Sequence, residues 1–187
     1  MNAFFKRQLR DYVQYHRDPW NCAMHVFGIL SLFLAAILPL SMWPVRALGA
    51  HTTMAPLMVL PVLIYWLLLD TALGTAILGA AVVLLAAAAL IASYASPVSV
   101  WSITAMLIVI GVSFQVVGHR LFEGRQPALV DNPTHLLLGP MFVTAKLFIA
   151  LGFRHDLAAI IEHIPPQTPR GSSPFAEEHQ VGPLPHS

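Results

Sequence analysis

One stretch of the chain, from Gln115 to His135, combines residues that bind metals with the end of a long apolar segment. It reads QVVGHRLFEGRQPALVDNPTH. Gln115, His119 and Glu123 follow one another at intervals of four residues, which places them along one face of a helix with 3.6 residues per turn. Ionisable groups at membrane depth are costly unless they are paired, hydrated or coordinated. The stretch therefore indicates a functional site.

The end of this stretch predicts the start of another helix. Asn132 and Pro133 have the residue types of an N-cap and a first helical residue, so His135 lies in the first turn. The helix dipole disfavours a charged imidazole there, and neutral imidazole is the form that binds metal. His135 is therefore a candidate metal ligand.

A second pair of histidines lies near the N-terminus. His16 and His25 are nine residues apart, and one continuous helix would point them about 180° apart. Asp18 and Pro19 form a cap pattern that starts a new helix between them. This break allows both histidines to face one site, with Asn21 close by.

The composition is that of an integral membrane protein. Of the 187 residues, 57% are hydrophobic and only 10% are charged, and the mean hydropathy is +0.69; soluble domains have about a quarter charged residues. The net charge of +1 comes without a clustered basic face, so we expect no nucleic-acid partner. Cys22 is the only cysteine, so a metal would be held by imidazole and oxygen. We expect no cleaved signal peptide.

The fold class predicted is an all-α integral membrane protein, a bundle of about four to five transmembrane helices preceded by an interfacial helix. Residues 1–163 form one domain, and the Pro-, Ser- and Gly-rich residues 164–187 form a disordered tail. In the interfacial helix, Phe4, Phe5, Leu9, Tyr12 and Val13 face lipid. The apolar runs that form the spans are 22–42, 54–69, 71–93, 97–118 and 135–153; the last either crosses the membrane or returns. Residues 45–53 are a loop.

The number of spans places the histidines on one side of the membrane. Four spans separate His25 from His119, so the chain returns to the side from which it started. The basic residues that lie on this side are Lys6, Arg7, Arg10, Arg17, Arg120 and Arg125, against Arg46 on the other. The positive-inside rule assigns the histidine side to the cytoplasm. The Ala- and Leu-rich spans favour a bacterial inner membrane, or the endoplasmic reticulum in a eukaryote.

Histidines and a carboxylate without cysteine suit iron, zinc or manganese. The candidate ligands are His16, His25, His119 and His135. Asn21, Gln115 and Glu123 are the candidate catalytic residues, because they lie beside the histidines and can orient them.

Two motifs, YHRDPWNCAMHVFG and QVVGHRLFEGRQPAL, resemble those of the yeast-type 2-hydroxy fatty acid dioxygenases of fatty acid α-oxidation, over about residues 4 to 155. The resemblance implies Fe²⁺ held by histidines and the oxidative removal of one carbon from a long-chain 2-hydroxy fatty acid, with dioxygen as cosubstrate. Lys146 departs from the acidic residue expected there in many relatives. The resemblance does not imply a separate 2-oxo acid, because the substrate's own carboxylate and hydroxyl can chelate the metal.

We expect the substrate to approach from the membrane. Its acyl tail would lie between the apolar spans, and Arg120 or Arg125 would bind its carboxylate; lipid phosphate is the alternative partner of these arginines.

Other readings fit fewer residues. Membrane desaturases carry adjacent histidines, and intramembrane serine proteases carry a GxSxG motif. This sequence contains neither pattern. Haem ligation by His25 and His119, or a histidine-using membrane transporter or metal-binding scaffold, is the alternative function. A transporter would place polar residues in the middle of its spans.

Overall fold

The structure is a computed structural model that describes residues 3–47, 49–124 and 136–161. The elements, in chain order, are α1 Ala3–Val13, α2 Pro19–Leu40, β1 Pro44–Ala47, β2 Ala50–Thr53, α3 Met54–Leu69, α4 Thr71–Tyr94, α5 Pro97–Val117, a π-helical turn Gly118–Glu123, α6 Leu138–Ala150 and α7 His155–Ile161. The predicted tail, residues 164–187, lies outside the described residues and stays a prediction.

Among the described residues, three helical segments are long and apolar enough to cross a membrane. They are α2, α4, and α5 extended by the π turn. Apolar side chains such as Val83 and Val109 are about two-thirds exposed on their outer faces, as expected for surfaces that contact lipid. Helix α3 has 16 residues, somewhat fewer than the roughly 20 that a bilayer requires. The predicted bundle of membrane helices is confirmed.

Helices α2 and α5 pack antiparallel through small residues. Gly28 meets the backbone of Gly111, and Gly118 meets Asn21 two turns away. Without side chains at the glycines, the two backbones approach closely. The start of α2 and the end of α5 therefore lie at the same end of the bundle, called here the histidine end.

The opposite end carries a feature that the sequence did not predict. The loop expected over residues 45–53 is an antiparallel hairpin in which Pro44 pairs with Thr53 and Arg46 with His51. Gly49 has a φ of +80°, which a tight hairpin turn requires and which glycine adopts without strain. The prediction missed it because the segment lacks the alternation of apolar and polar residues that marks a strand.

Helix α1 differs from its prediction as well. Phe5, Leu9, Tyr12 and Val13 are at most 3% exposed and pack in a core with residues of α6 and α7. They contact protein and not lipid, whereas Phe4 remains 43% exposed. An amphipathic helix buries its apolar face against either partner with equal benefit, so the pattern alone does not distinguish them. Lys6, Arg7 and Arg10 are exposed, as expected for the polar face of an amphipathic helix.

Helix α6 begins and ends at the histidine end of the bundle. Just before its start, the carbonyl of Leu137 accepts a hydrogen bond from Trp66 Nε1 at 2.7 Å. After its end, Arg154 binds both carboxylate oxygens of Asp70, at 2.8 and 3.0 Å. Trp66 and Asp70 lie one turn apart at the end of α3. The fifth apolar run therefore does not cross the bundle.

Candidate metal centre

Three histidines from distant parts of the chain meet at the histidine end. His16 precedes α2, His25 lies in its second turn, and His119 lies in the π turn. One ring nitrogen of each lies within 4.8 Å of the others, and His16 Nε2 is 3.0 Å from His25 Nε2. All three are at most 5% exposed. Burying three imidazoles together is costly unless their nitrogens have partners.

The ring of His16 is oriented by the end of α1. Its Nδ1 lies 3.0 Å from the backbone carbonyl oxygen of Tyr12. The side-chain rings of Tyr12 and His16 also stack, with centroids 4.0 Å apart. A backbone carbonyl accepts only from N–H, so the hydrogen bond places the proton on Nδ1 and leaves the lone pair on Nε2, the atom that faces His25 Nε2. Burial raises the pKa of the Tyr12 phenol, which remains neutral against the imidazole.

The break between His16 and His25 is built as predicted. Asp18 Oδ1 accepts hydrogen bonds from the N–H groups of Trp20 and Asn21, at 2.8 and 3.2 Å, and Pro19 is the first residue of α2. The cap satisfies N–H groups that have no partner within the helix. It also ends the preceding turn, so that the two histidines converge although they are nine residues apart.

Glu123 fastens the π turn to this cap. Its Oε1 accepts hydrogen bonds from the backbone N–H groups of Arg17 and Asp18, at 2.7 and 2.9 Å, and from Asn21 Nδ2 at 3.1 Å. A carboxylate at a helix N-terminus is favoured by both the hydrogen bonds and the dipole. Glu123 and Asn21 therefore hold the segments that carry the histidines.

The predicted helical stripe faces α2, but it is not an α-helix throughout. Gln115 packs over Gly28, with Nε2 2.9 Å from where a Cβ would lie, so it supports the interface of α2 and α5 two turns from the cap. From Gly118 to Glu123 the helix widens to a π turn. In a π turn the backbone hydrogen bonds join residues i and i+5, and such turns often occur at functional sites. Spacing alone did not indicate it.

The remaining candidates lie elsewhere. Arg120 is exposed, while Arg125 and His135, with the Asn132-Pro133 cap, lie outside the described residues. Their predicted roles stay predictions. Of the four histidines predicted as ligands, the structure brings together the three that it describes.

Two residues that the sequence reading did not assign to the site lie beside His16. Cys22 Sγ is 3.5 Å from the carbonyl of His16, and Lys146 Nζ on α6 is 3.1 Å from Cys22 Sγ. The sequence did contain an indication for Lys146, because a lysine in the middle of an apolar run is unusual and often functional. What the sequence lacked was the position of α6 against the start of α2.

The cluster fits a divalent metal. Within the described chain, the Nδ1 atoms of His25 and His119 have no hydrogen-bond partner although they are buried. Metal bonds to imidazole nitrogen measure about 2.1 Å, so two nitrogens 3.0 Å apart can bind the same ion. Neutral imidazoles suit iron, zinc, copper and nickel. Haem does not fit, because the ring centroids of His25 and His119 are 4.9 Å apart and leave no room for a porphyrin between them.

Two cavities flank α6. One, of about 650 Å³, opens beside the histidines, and its described wall includes His16, Arg17, Lys146, Val13, Ile149 and Ile161. The other, of about 400 Å³, lies on a different face of α6 among apolar residues of α2, α3 and α4. The first, called here the head cavity, has the candidate ligand His16 in its described wall.

Comparison with known proteins identifies a family and a relative. A family model described as 2-hydroxy-palmitic acid dioxygenase Mpo1-like matches residues 2–151. The 2-hydroxy-palmitic acid dioxygenase MPO1 of Saccharomyces cerevisiae is 34% identical over 161 residues, which cover 84% of this chain and 87% of the yeast protein. No solved structure matches the chain. The match spans α1 to the end of α6 and so contains every described residue of the histidine cluster. The chain belongs to the Mpo1-like family of 2-hydroxy-palmitic acid dioxygenases.

Proposed function

We propose that this protein is an Fe²⁺-dependent dioxygenase that shortens long-chain 2-hydroxy fatty acids by one carbon. The observation that carries the proposal is the buried cluster of His16, His25 and His119 in a member of this family. The yeast relative is named for 2-hydroxy-palmitic acid, a substrate with the same head group. His135 is the proposed fourth ligand.

The reaction balances without a further reductant. A 2-hydroxy acid and one dioxygen give the acid one carbon shorter, carbon dioxide and water. The bond between the carboxylate carbon and the hydroxyl-bearing carbon breaks, and the hydroxyl-bearing carbon becomes the new carboxylate. The four electrons that reduce dioxygen come from the substrate itself.

Bound iron would relay electrons from the substrate to dioxygen and would be held by the histidines while the substrate's hydroxyl and carboxylate oxygens chelate it. The protein's part is to hold three imidazoles neutral and convergent. Tyr12 orients His16, and Asn21 and Glu123 fix the segments that carry His25 and His119. Burial of the cluster keeps bulk water from the reacting groups.

The polar groups lie where a head group would enter from the membrane surface. The head cavity adjoins the cluster at the end of the bundle, and its apolar wall suits the first carbons of an acyl chain. Polar residues gathered at one end of the spans are typical of an enzyme acting on lipids at the surface. A transporter, the alternative function, would need such residues along its path.

The test compares three acids with purified protein reconstituted with ferrous iron. 2-Hydroxyhexadecanoate should give pentadecanoate when dioxygen is present. Hexadecanoate should not react, because it lacks the hydroxyl that completes the chelate and orients the reacting carbon. 3-Hydroxyhexadecanoate should react poorly, since its chelate ring is one atom larger.

Mass spectrometry of the products decides between outcomes. Equal turnover of all three acids would reject chelation by the substrate. No shortened acid from the 2-hydroxy substrate, with iron shown to be bound, would reject the function.

A further inference from the structure

We propose that Lys146 binds the carboxylate of the fatty acid and so determines that the substrate is a free acid. This inference rests on the function proposed above. It replaces the expectation that Arg120 or Arg125 takes this role with a residue whose position beside the cluster is described.

The ammonium group of Lys146 lacks a counter-charge among the described residues. Its Nζ contacts Cys22 Sγ at 3.1 Å and lies 5.2 Å from the centroid of the Phe142 ring. A thiol is a weak acceptor, and an aromatic face attracts a cation only modestly. Lys146 is half-buried, and a cation withdrawn from water is costly until it is paired. An anion arriving in the head cavity would complete its surroundings.

The nearby carboxylate does not fill this role. Glu123 Oε1 already accepts from Arg17, Asp18 and Asn21, and it holds the start of α2. Arg120 is exposed on the π turn and is not part of the described wall of the head cavity. Arg17 is exposed at its rim, a position suited to attracting an anion rather than to enclosing it.

Lys146 and His16 share the wall of one cavity. Cys22 links them, since its thiol contacts both Lys146 Nζ and the carbonyl of His16. A carboxylate bound by Lys146 would therefore lie next to the histidine cluster, and the adjoining carbons would meet Val13, Ile149 and Ile161. The same chemistry would also bind the phosphate of a lipid headgroup, so the test includes both anions.

The experiment measures binding to full-length protein in nonionic detergent, without dioxygen, so that no turnover is needed. The ligands are 2-hydroxyhexadecanoate, its methyl ester and dihexadecanoyl phosphatidate. Wild-type protein should prefer the acid over its ester by roughly tenfold or more, the range expected for a hydrogen bond to a charged group. Lys146→Met should lose this preference, and Lys146→Arg should keep most of it.

The chain offers a matched control, because Lys6 is its only other lysine and is exposed on α1. Lys6→Met should bind like wild type. In turnover assays Lys146→Met should raise KM for the 2-hydroxy acid at least tenfold with a smaller change in kcat.

Two results would overturn the inference. One is a Lys146→Met variant, with unchanged metal content and thermal midpoint, that still prefers the acid as wild type does. The other is a variant that loses phosphatidate binding but keeps its preference for the acid, which would assign the lysine to lipid headgroups. Because binding is measured without turnover, either result is separate from a failure of the proposed function, which would appear as wild-type protein that binds the acid but never shortens it.

Discussion

At the scale of single residues, the histidine cluster depends on how each ring is held. His16 is fixed by the carbonyl of Tyr12, whereas the buried Nδ1 atoms of His25 and His119 find no hydrogen-bond partner among the residues described. Unpaired buried nitrogens are rare and call for an explanation. A metal held between the rings would bind His25 through Nε2, which lies 3.0 Å from His16 Nε2, so the Nδ1 of His25 would still call for a partner of its own.

Replacing a ligand should remove both iron and activity. We expect His25→Ala and His119→Ala to bind less than a tenth of the wild-type iron and to lose activity at least 100-fold, because losing a ligand should cost at least as much as losing a residue that orients one, about 10- to 100-fold. Elemental analysis of anaerobically purified protein and product formation check this.

His51→Ala is the control for this experiment, since His51 is exposed in the hairpin at the other end of the bundle. It should match wild type in both assays. Stoichiometric zinc in active wild-type protein, or full iron content in the His119 variant, would contradict the assignment.

At the scale of elements, the contact between α2 and the π turn sets the distance between the histidines. A Cβ at Gly118 would lie 2.5 Å from Asn21 Oδ1, closer than atoms in contact allow. Gly118→Ala should therefore displace Asn21 from Glu123. We expect the iron affinity to fall about tenfold, which is typical when a contact that orients a metal ligand is lost. Iron titration of the purified variant measures the effect.

Gly79→Ala is the matched control, because a Cβ there meets nothing within 4 Å. It should leave iron binding unchanged and stabilise α4 slightly, as alanine has the higher helix propensity. If both variants bind iron equally well, the close approach at Gly118 does not position the site.

Arg154 joins the corner between α6 and α7 to the corner between α3 and α4. It has a left-handed φ of 58° and binds both Asp70 and Asp156. Burial tends to raise the pKa of Asp70, but hydrogen bonds from Arg154 and from the Leu73 N–H outweigh it, so the pKa is lowered. Two ion pairs thus hold a backbone conformation that is unfavourable for arginine.

This clamp predicts a dependence of stability on pH. Because the folded pKa of Asp70 is lowered, its stabilisation is fully present above the ordinary value of 3.8 and is lost as the pH falls from there through the folded pKa. Asp70→Asn should remove this contribution and cost about 3 kcal/mol, the range for breaking a buried pair. Thermal unfolding midpoints of wild type and Asp70→Asn should be measured in detergent from about pH 3 to 7, at intervals of about one unit. The difference between the two proteins should shrink towards the acidic end.

Asp156→Asn provides the comparison, since the Asp156 side chain is 53% exposed. Exposed pairs contribute about 0.2–1 kcal/mol, so this variant should lie close to wild type. A larger loss from Asp156→Asn than from Asp70→Asn would mean that Asp70 is not the main anchor of Arg154.

The helices that cross the bundle were predictable because each is marked at its ends. Asp18, Asp70 and Ser96 are N-cap residues whose side chains accept hydrogen bonds from the first turns of α2, α4 and α5, and a proline follows Asp18 and Ser96. The partner of α1 could not be predicted, because an apolar stripe on a helix packs equally well against lipid and against protein. Nor could the hairpin, whose residues lack a strand pattern.

At the scale of the whole molecule, the antiparallel packing of α2 and α5 brings the start of one and the end of the other to a single surface. The positive-inside rule, applied to the basic residues near that surface, predicts that it faces the cytoplasm. Single cysteines at Arg17 and Arg120, in a Cys22→Ala background, should react with a membrane-impermeant maleimide only from the cytoplasmic side. A cysteine at Arg46, in the hairpin, should react only from the opposite side.

Labelling of the Arg17 and Arg120 positions from opposite sides would contradict the fold itself. Labelling of both from the non-cytoplasmic side would contradict only the orientation. The sequence could predict the shared surface because counting four spans suffices. It could not predict that α6 returns to that surface. The 13 residues of α6 would be apolar whether the segment crossed the membrane or returned, and only the contacts with Trp66 and Asp70 distinguish the two paths.

The π turn has a consequence for how this family can change over time. A π turn contains one residue more than the α-helical turn it replaces. Losing one residue between His119 and Glu123 would restore a regular helix and rotate Glu123 by about 100° relative to His119, away from the cap of α2. Insertions and deletions here should therefore be excluded by selection in active members, while substitutions at the exposed Leu121 remain acceptable. A gap in this segment would distinguish a relative that retains the fold from one that retains the chemistry.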